Sequence, residues 1–592
     1  MFRFKTAFAF ACSLAPAGLG FAQSEQDPYD YINTVHPAWS VSALRPNAWE
    51  VQVGGMDFLP NGKLIVLEHK DPNEQHSGVP TAKGKLWLID NPTATGEAIQ
   101  YRQLAASLKE PVGMMVLNGK LIVAEKWELT EWTLNEGLTA ATKTRTIAAI
   151  PHDKDGNVNF QEYVFGVLYK DGYFYVAVGG AVASGGLSFV NDQGKMDNDR
   201  TGSLLKIKES DGTITMLSGG MRACNGIAWG PEGSIWMTDN QGSYRPSSEI
   251  TAMVEGGYYG YPNKQNPAFA GKPVTPPSIW SVYGEIGYSP TYPHLMKKGV
   301  YAGQFLIGDL AKGGIKRTFM EKVNGDWQGA IFSFTGGLEV GIETILEDSA
   351  GVLYAGGMGR GDPRNWGWNT KKFGLQKLTP KPGITTFEIL AIRSRRNGME
   401  IEFTKPTGAG AEAASSYKVT SAQMDLSKPG YGEGNMIGKT TLSIKTVTVS
   451  PDRRKVFLEL NGMAANRVLT LKTDGVKSEG GESVRCGAGW YTLNSISQSE
   501  AFSPATNLAQ KDPALADAHS ILVRREAGGL RVSVPFEGGH SLVLSDLQGR
   551  KVTARSGSGA REYVFATGAW PPGVYLLQAR AGGRTFARMI SF

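Results

Sequence analysis

The chain has 592 residues, with 61 Lys and Arg against 55 Asp and Glu and a formal net charge of +6. That length predicts roughly three or four domains, and 75 glycines with 30 prolines predict many turns and short strands. The positive excess forms no long basic run, which argues against a nucleic-acid partner.

The first residues, "MFRFKTAFAFACSLAPAGLGFAQ", place Arg3 and Lys5 before an apolar stretch and small residues at Gly20 and Ala22. This is the pattern of a secretory signal peptide (1–22) cut after Ala22. The apolar run before Cys12 is too short for a lipoprotein leader. No later segment has the ~18 apolar residues a membrane span requires, so an exported chain without a transmembrane span is expected. Without the leader two cysteines remain, Cys224 and Cys486, expected in different domains as unpaired buried thiols. No Cys-x-x-Cys or closely spaced His pair marks a zinc site.

From residue 23 to 378 the chain repeats a unit. "GMDFLPNGKLIVLEH" (Gly55–His69), "GMMVLNGKLIVAEKW" (Gly113–Trp127), "GVLYKDGYFYVAVGG" (Gly166–Gly180) and "GIAWGPEGSIWMTDN" (Gly226–Asn240) share a glycine, an apolar strand, an Asn-Gly, Asp-Gly or Glu-Gly turn and a second apolar strand. The turn dipeptide supplies the positive φ of a tight hairpin. "YAGQFLIGDLAK" (Tyr301–Lys312) and "GIETILEDSAGVLYAGG" (Gly341–Gly357) are weaker copies. Six such hairpins predict an all-β fold with a six-bladed β-propeller; a sandwich with chance hairpins is the alternative. Glu68, Glu125, Asp239 and Asp309 each follow the second strand directly. They are expected either to ring one mouth of the channel, where they would suit Ca²⁺ or sugar hydroxyls, or to be ordinary solvated strand ends.

After Pro380 the pattern changes. "ITTFEILAIRSRRNGMEIEFTKP", "TVTVSPDRRKVFLEL", "VLTLKT" and "WYTLNSI" predict an immunoglobulin- or fibronectin-like sandwich over 379–498 with a binding or spacer role. Residues 499–520 are a polar, Pro- and Ala-rich linker. The last block, 521–592, is a further small β domain. Its "LSDLQGRKV" and "WPPGVYLL" resemble the C-terminal sorting domains of the type IX secretion system, through Asp546, Gly549, Arg550, Gly573, Val574 and Tyr575. The resemblance implies the secretion machinery as a partner, and a secreted or cell-surface location in a Gram-negative bacterium.

The stretch "RACNGIAWGPEGSIWMTDNQGSYRPSSEITAMVEGGYYGYP" (Arg222–Pro262) resembles the glucose/sorbosone dehydrogenase family, with Arg222, Gly226, the Pro231–Gly233 turn, the Asp239–Ser243 loop, Glu249 and "GGYYGYP" matching. The likeness spans roughly 50–378. It implies a six-bladed propeller holding pyrroloquinoline quinone (PQQ) and Ca²⁺ and oxidising sugars. It also implies cofactor contacts from Arg222 and Lys312, and a metal position at Gly242 and Ser243 with Asp239 and Glu249 near it. Hydride abstraction needs a base near its working pKa, usually His. Tyr163 stands in the expected His position, and Glu162 or His152 could replace it only by local rearrangement. The Asn expected after the arginine is Ala223, and acidic "GIE" (Gly341–Glu343) falls where the family has arginines.

Tyr244, Tyr258, Tyr259, Trp366 and Trp368 are expected to face a ligand, since aromatic faces stack on sugars, whereas Trp229 and Trp236 read as blade core. Three readings stay open. The chain is a PQQ-dependent sugar oxidoreductase, a propeller binding sugar or polysaccharide without redox chemistry, or a lactonase-like metal hydrolase on the acidic ring.

Overall fold

The computed structural model describes residues 33–69, 81–150, 163–180, 201–242, 244–261, 267–269, 271–359, 371–427, 436–502, 522–526, 529–534, 538–546, 550–566, 570, 574–581 and 584–591. The chain divides into two compact units, 1–501 and 502–592. Among the described residues there is no α-helix, and no helix is long and apolar enough to cross a membrane.

Six antiparallel blades of four strands follow one another along the first unit, five as separate sheets and blade 5 as part of a larger one. Blade 1 consists of Val53–Phe58, Leu64–Glu68, Gly84–Ile89 and Tyr101–Leu108. Blade 2 consists of Gly113–Leu117, Lys120–Glu125, Glu128–Leu134 and Ala141–Ala149. Blade 3 contains Val164–Lys170, Tyr173–Val178, Ser203–Lys208 and Ile214–Gly219; blade 4 contains Cys224–Trp229, Ile235–Asp239, Ser248–Ala252 and Ile279–Ser281. Blade 5 has Pro290–Leu295, Phe305–Asp309, Ile315–Val323 and Asp326–Thr335. In blade 6, Gly341–Glu347, Leu353–Met358 and Phe373–Pro380 are joined at the outer edge by the N-terminal strand Trp39–Ala43.

Closure is visible in the cores. Ile65, Leu67 and Leu86 of blade 1 pack on Met114, Leu121 and Val123 of blade 2, and like clusters join blades 2 to 3, 3 to 4, 4 to 5 and 5 to 6. Tyr354 and Leu375 of blade 6 then pack on Met56, Leu64 and Val66 of blade 1. A ring of interblade cores that returns to its start is a six-bladed β-propeller, whose closure leaves few sheet edges open.

The hairpin chemistry is as expected: Asn118 and Gly119, Asp171 and Gly172, and Glu232 and Gly233 all have positive φ, the conformation of a type I′ turn. The glycines opening the inner strands have another cause. The strands converge so tightly at the axis that a Cβ on Gly226 would lie 2.6 Å from Tyr292 Cα, and one on Gly113 would lie 3.0 Å from Gly166 N.

Two four-stranded sheets after the propeller enclose one core, with Phe387, Ile401, Phe403 and Val456 facing Val419, Leu469, Leu471 and Tyr491. This β-sandwich is not a detached bead. Its strand Ala488–Leu493 pairs with Asp326–Thr335 of blade 5, so blade 5 and half the sandwich form one eight-stranded sheet. Beside that seam His36 is fully buried. Its Nδ1 accepts the Ala38 N–H (3.1 Å) and its Nε2 lies 2.7 Å from Glu388 Oε1. Glu388 also accepts the hydroxyls of Tyr301 (2.7 Å) and Thr386 (2.8 Å) and an Arg485 N–H (3.3 Å). Burial lowers the His36 pKa, and the hydrogen bond to Glu388 opposes that shift.

In the unit 502–592, sheets of three and four strands share a core of Leu530, Val532, Leu542, Leu544, Phe565 and Leu577, forming a second small sandwich. Asp546 Oδ1 accepts the Arg550 N–H (2.9 Å) and Oδ2 accepts Arg550 Nε (2.7 Å). Cys224 is buried and Cys486 half-buried, both unpaired thiols.

Candidate ligand site on the axial face

All six inner strands start at one face of the propeller, called here the upper face, and the second strands end there. The register therefore brings Arg222, Asp239 and Glu249 together, with Cys224 opposite Asp239 and Asp239 opposite Glu249.

The acids that end the second strands are mostly scaffold. Asp239 accepts the N–H groups of Arg222 (2.8 Å) and Ala223 (2.6 Å). Asp309 accepts those of Tyr288, Ala311 and Lys312 (2.9, 3.0 and 3.0 Å) and pairs with Lys316 Nζ at 2.7 Å. Glu125 accepts Lys109 N–H (2.7 Å), and Glu68 accepts Trp87 Nε1 (2.7 Å). Each carboxylate satisfies groups of its own blade that strand pairing leaves unmet. This corrects the expectation of an acidic metal ring: among the described residues no group of three or more His, Cys, Asp or Glu could hold a metal ion.

Arg222 is 3% exposed, and its guanidinium lies so close under Gly242 that a Cβ there would overlap it. Gly242 exchanges both backbone hydrogen bonds with Arg245. Arg245 in turn pairs with Glu249, both buried, and its guanidinium stands 5.3 Å from the Trp280 ring centroid. Burial pushes the Glu249 carboxyl up to about 7, Asp239 adding to the shift and Arg245 opposing it. Asn240 Oδ1 and Glu249 Oε1 are buried without a hydrogen-bond partner. Ser243 lies outside the described residues.

Around this floor the aromatic residues divide. Tyr244 and Tyr258 are half-exposed; Tyr244 packs edge-on against Tyr261 at 6.1 Å, and Tyr258 stacks on Phe269 at 6.2 Å. Tyr259 corrects the expectation of a ligand-facing ring. It is fully buried and its hydroxyl accepts the Val254 N–H at 2.8 Å, which makes it core. Trp236 is core as expected, whereas Trp229 is half-exposed. Trp366, Trp368, His152 and Glu162 lie outside the described residues.

Tyr163 is buried between His69 (5.4 Å between rings), Phe165 and the Lys126 ammonium, 4.7 Å from its ring centroid. Lys126 pairs with Glu110 at 3.1 Å, each 1% exposed. Lys312 is half-buried, its Nζ 4.9 Å from the Tyr288 ring centroid.

Sequence reasoning missed Arg245, the Lys126–Glu110 pair, His69 and Tyr292. The signal for Arg245 was its place four residues before Glu249. Tyr292 carried none, though it bars the channel: its hydroxyl donates to Val112 O and accepts the Gly166 N–H (2.8 Å).

A tricarboxylate quinone requires uncommitted positive charge. Three cations of this face, Arg245, Lys126 and Lys316, each hold a carboxylate already. Glu343 is buried in blade 6, its carboxyl raised well above the usual range by burial. With those three cations committed, Arg222 and Lys312 are the described cations of this face that would hold PQQ, and the Gly242 carbonyl is engaged with the Arg245 N–H where the resemblance implies Ca²⁺.

No protein-family model and no curated protein matches the chain. Solved structures similar to it include the PQQ-bound aldose sugar dehydrogenase of Streptomyces coelicolor, at 14% identity over 58% of this chain and 100% of that one, with a TM-score of 0.38. The holo PQQ domain of pyranose dehydrogenase from Coprinopsis cinerea is 12% identical over 58% and 96%, with a TM-score of 0.40. Luciferin-regenerating enzyme is 10% identical over 59% and 97%, with a TM-score of 0.36. What this chain has in its own right is the strand order and closed ring of cores of a six-bladed β-propeller, with two β-sandwiches after it.

Proposed function

We propose that the chain is an exported propeller that binds carbohydrate on its upper axial face without redox chemistry. One observation carries the reading. Two half-exposed tyrosines, Tyr244 and Tyr258, border a buried polar floor in which Asn240 Oδ1 and Glu249 Oε1 have no partner. Aromatic faces receive the apolar side of a sugar ring, and buried acceptors without donors favour a ligand rich in hydroxyls. Tyr163, in place of a His at that position, supports binding over oxidation.

The test is binding of soluble polysaccharides by the full chain, with Tyr244→Ala and Tyr258→Ala expected to weaken it at least tenfold. A cofactor-dependent spectrum and dye reduction with aldoses after adding PQQ and Ca²⁺ would overturn the non-redox reading. Surface delivery through type IX secretion is part of the proposal. The Asp546–Arg550 clasp supports it, and deletion of 521–592 is expected to leave the protein in the periplasm rather than at the cell surface.

A further inference from the structure

The opposite end of the channel holds a cavity. It has a volume of about 460 Å³ and is lined by the inner strands, a size in the range of small-molecule sites. Tyr292 closes its inner end, reaching from blade 5 to Val112 and Gly166 with its ring against Gly226. The cavity is therefore separate from the upper face. Its rim carries half-exposed Phe58, Leu168, Trp229, Leu295 and Leu346 from five blades.

Inside the rim the polar groups are few. Asp57 is used up, its two oxygens accepting the Phe58 (2.8 Å) and Val116 (2.6 Å) N–H groups. Glu347 Oε2 accepts the Lys297 N–H (2.7 Å), but Oε1 is buried without a partner. His294 Nε2 lies 3.5 Å from Glu347 Oε2, at the long limit of a hydrogen bond, and makes no other. The charged groups on the lining are Asp57, Glu347 and Lys297.

We infer that this lower pocket binds a small neutral polyhydroxylated molecule of monosaccharide size, held by Glu347 and His294 and flanked by Trp229. A hydroxyl both donates and accepts, so one or two adjacent hydroxyls satisfy Glu347 Oε1 and either tautomer of His294. A carboxylate ligand cannot donate to Glu347 Oε1, and an ammonium cannot accept from a His294 N–H, whereas a hydroxyl serves both. The indole supplies the apolar flank. This site does not depend on the upper-face reading.

The experiment titrates the full chain with glucose, galactose, mannose and xylose, read by calorimetry and tryptophan fluorescence. Saturable binding of at least one sugar is expected. Glu347→Gln should weaken it about tenfold, the loss of a hydrogen bond to a charged group. Leu168→Arg, at the half-exposed rim, should abolish it even if Glu347→Gln fails to fold. Trp229→Phe should retain binding but lose the fluorescence change, and Tyr244→Ala should leave it intact while removing polysaccharide binding on the upper face. No saturable binding by any of the four sugars, or binding unchanged in Leu168→Arg, overturns the inference; so does equal binding of phenethylamine or benzoate.

Discussion

Glu388 gives the sharpest quantitative test of the seam between propeller and sandwich. Burial alone would raise its carboxyl. The hydrogen bond and charge of His36, with the charges of Arg485 and Arg317, outweigh that and hold it at about 2 against an ordinary 4.5. A carboxyl depressed on folding stabilises the folded state above its unfolded pKa, and that stability is lost as pH falls towards the folded value. The gap is worth about 3 kcal/mol at pH 7 and about 1 kcal/mol at pH 3, at roughly 1.4 kcal/mol per pH unit. Glu388→Gln removes the titration and keeps the shape. At roughly 2 cal/mol/K per residue, the first unit unfolds with an entropy of about 1 kcal/mol/K. The variant should therefore melt about 3 °C below the parent at pH 7 and about 1 °C below it at pH 3. Calorimetry of the full chain at both values checks this. A gap of equal size at pH 7 and pH 3 would refute the linkage argument.

Tyr292→Phe leaves the Gly166 N–H and the Val112 carbonyl without their partner, and should cost about 2–4 kcal/mol; unchanged denaturant stability would show that the crossbar is ornamental. Gly226→Ala, at φ 146° and facing Tyr292, should yield little soluble protein. Gly62→Ala, at φ 82° with nothing within 4 Å of its Cβ, should cost only the backbone strain of about 1–2 kcal/mol. Lys126→Met removes the cation paired with buried Glu110 at a cost of about 3–5 kcal/mol, and most of that should return in the double variant Lys126→Met/Glu110→Leu, measured by urea unfolding.

The propeller was legible because its punctuation is local. Asn118-Gly119 and Asp171-Gly172 sit between the two innermost strands of their blades, and the glycines opening those strands mark the crowded axis. Blade 5 was faint because its inner strand, Pro290–Leu295, opens on proline rather than glycine and reaches the next strand through residues 296–304 instead of a two-residue turn. The strand Trp39–Ala43 carries no mark of its distant partner, and nothing local in Ala488–Leu493 says that it pairs with blade 5. Pairings across hundreds of residues leave no short-range trace. The site was half legible for the same reason. Asp239 and Glu249 stood out as acids, but only the register shows that one holds backbone amides and the other an arginine. Tyr259 looked like its neighbour Tyr258 until burial separated them.

Among the described residues, the strand Trp39–Ala43 is the first propeller strand to leave the ribosome, and Phe373–Pro380, the strand it pairs with, is the last. Blades 1 to 5 can form in order as they are made, each on the apolar face of the one before, while the earliest strand waits with both edges bare. The ring becomes one cooperative object at a single late moment, through the longest-range contact in the propeller. An interrupted or proteolysed chain would lack that partner and present an open arc of sheet, prone to join other chains.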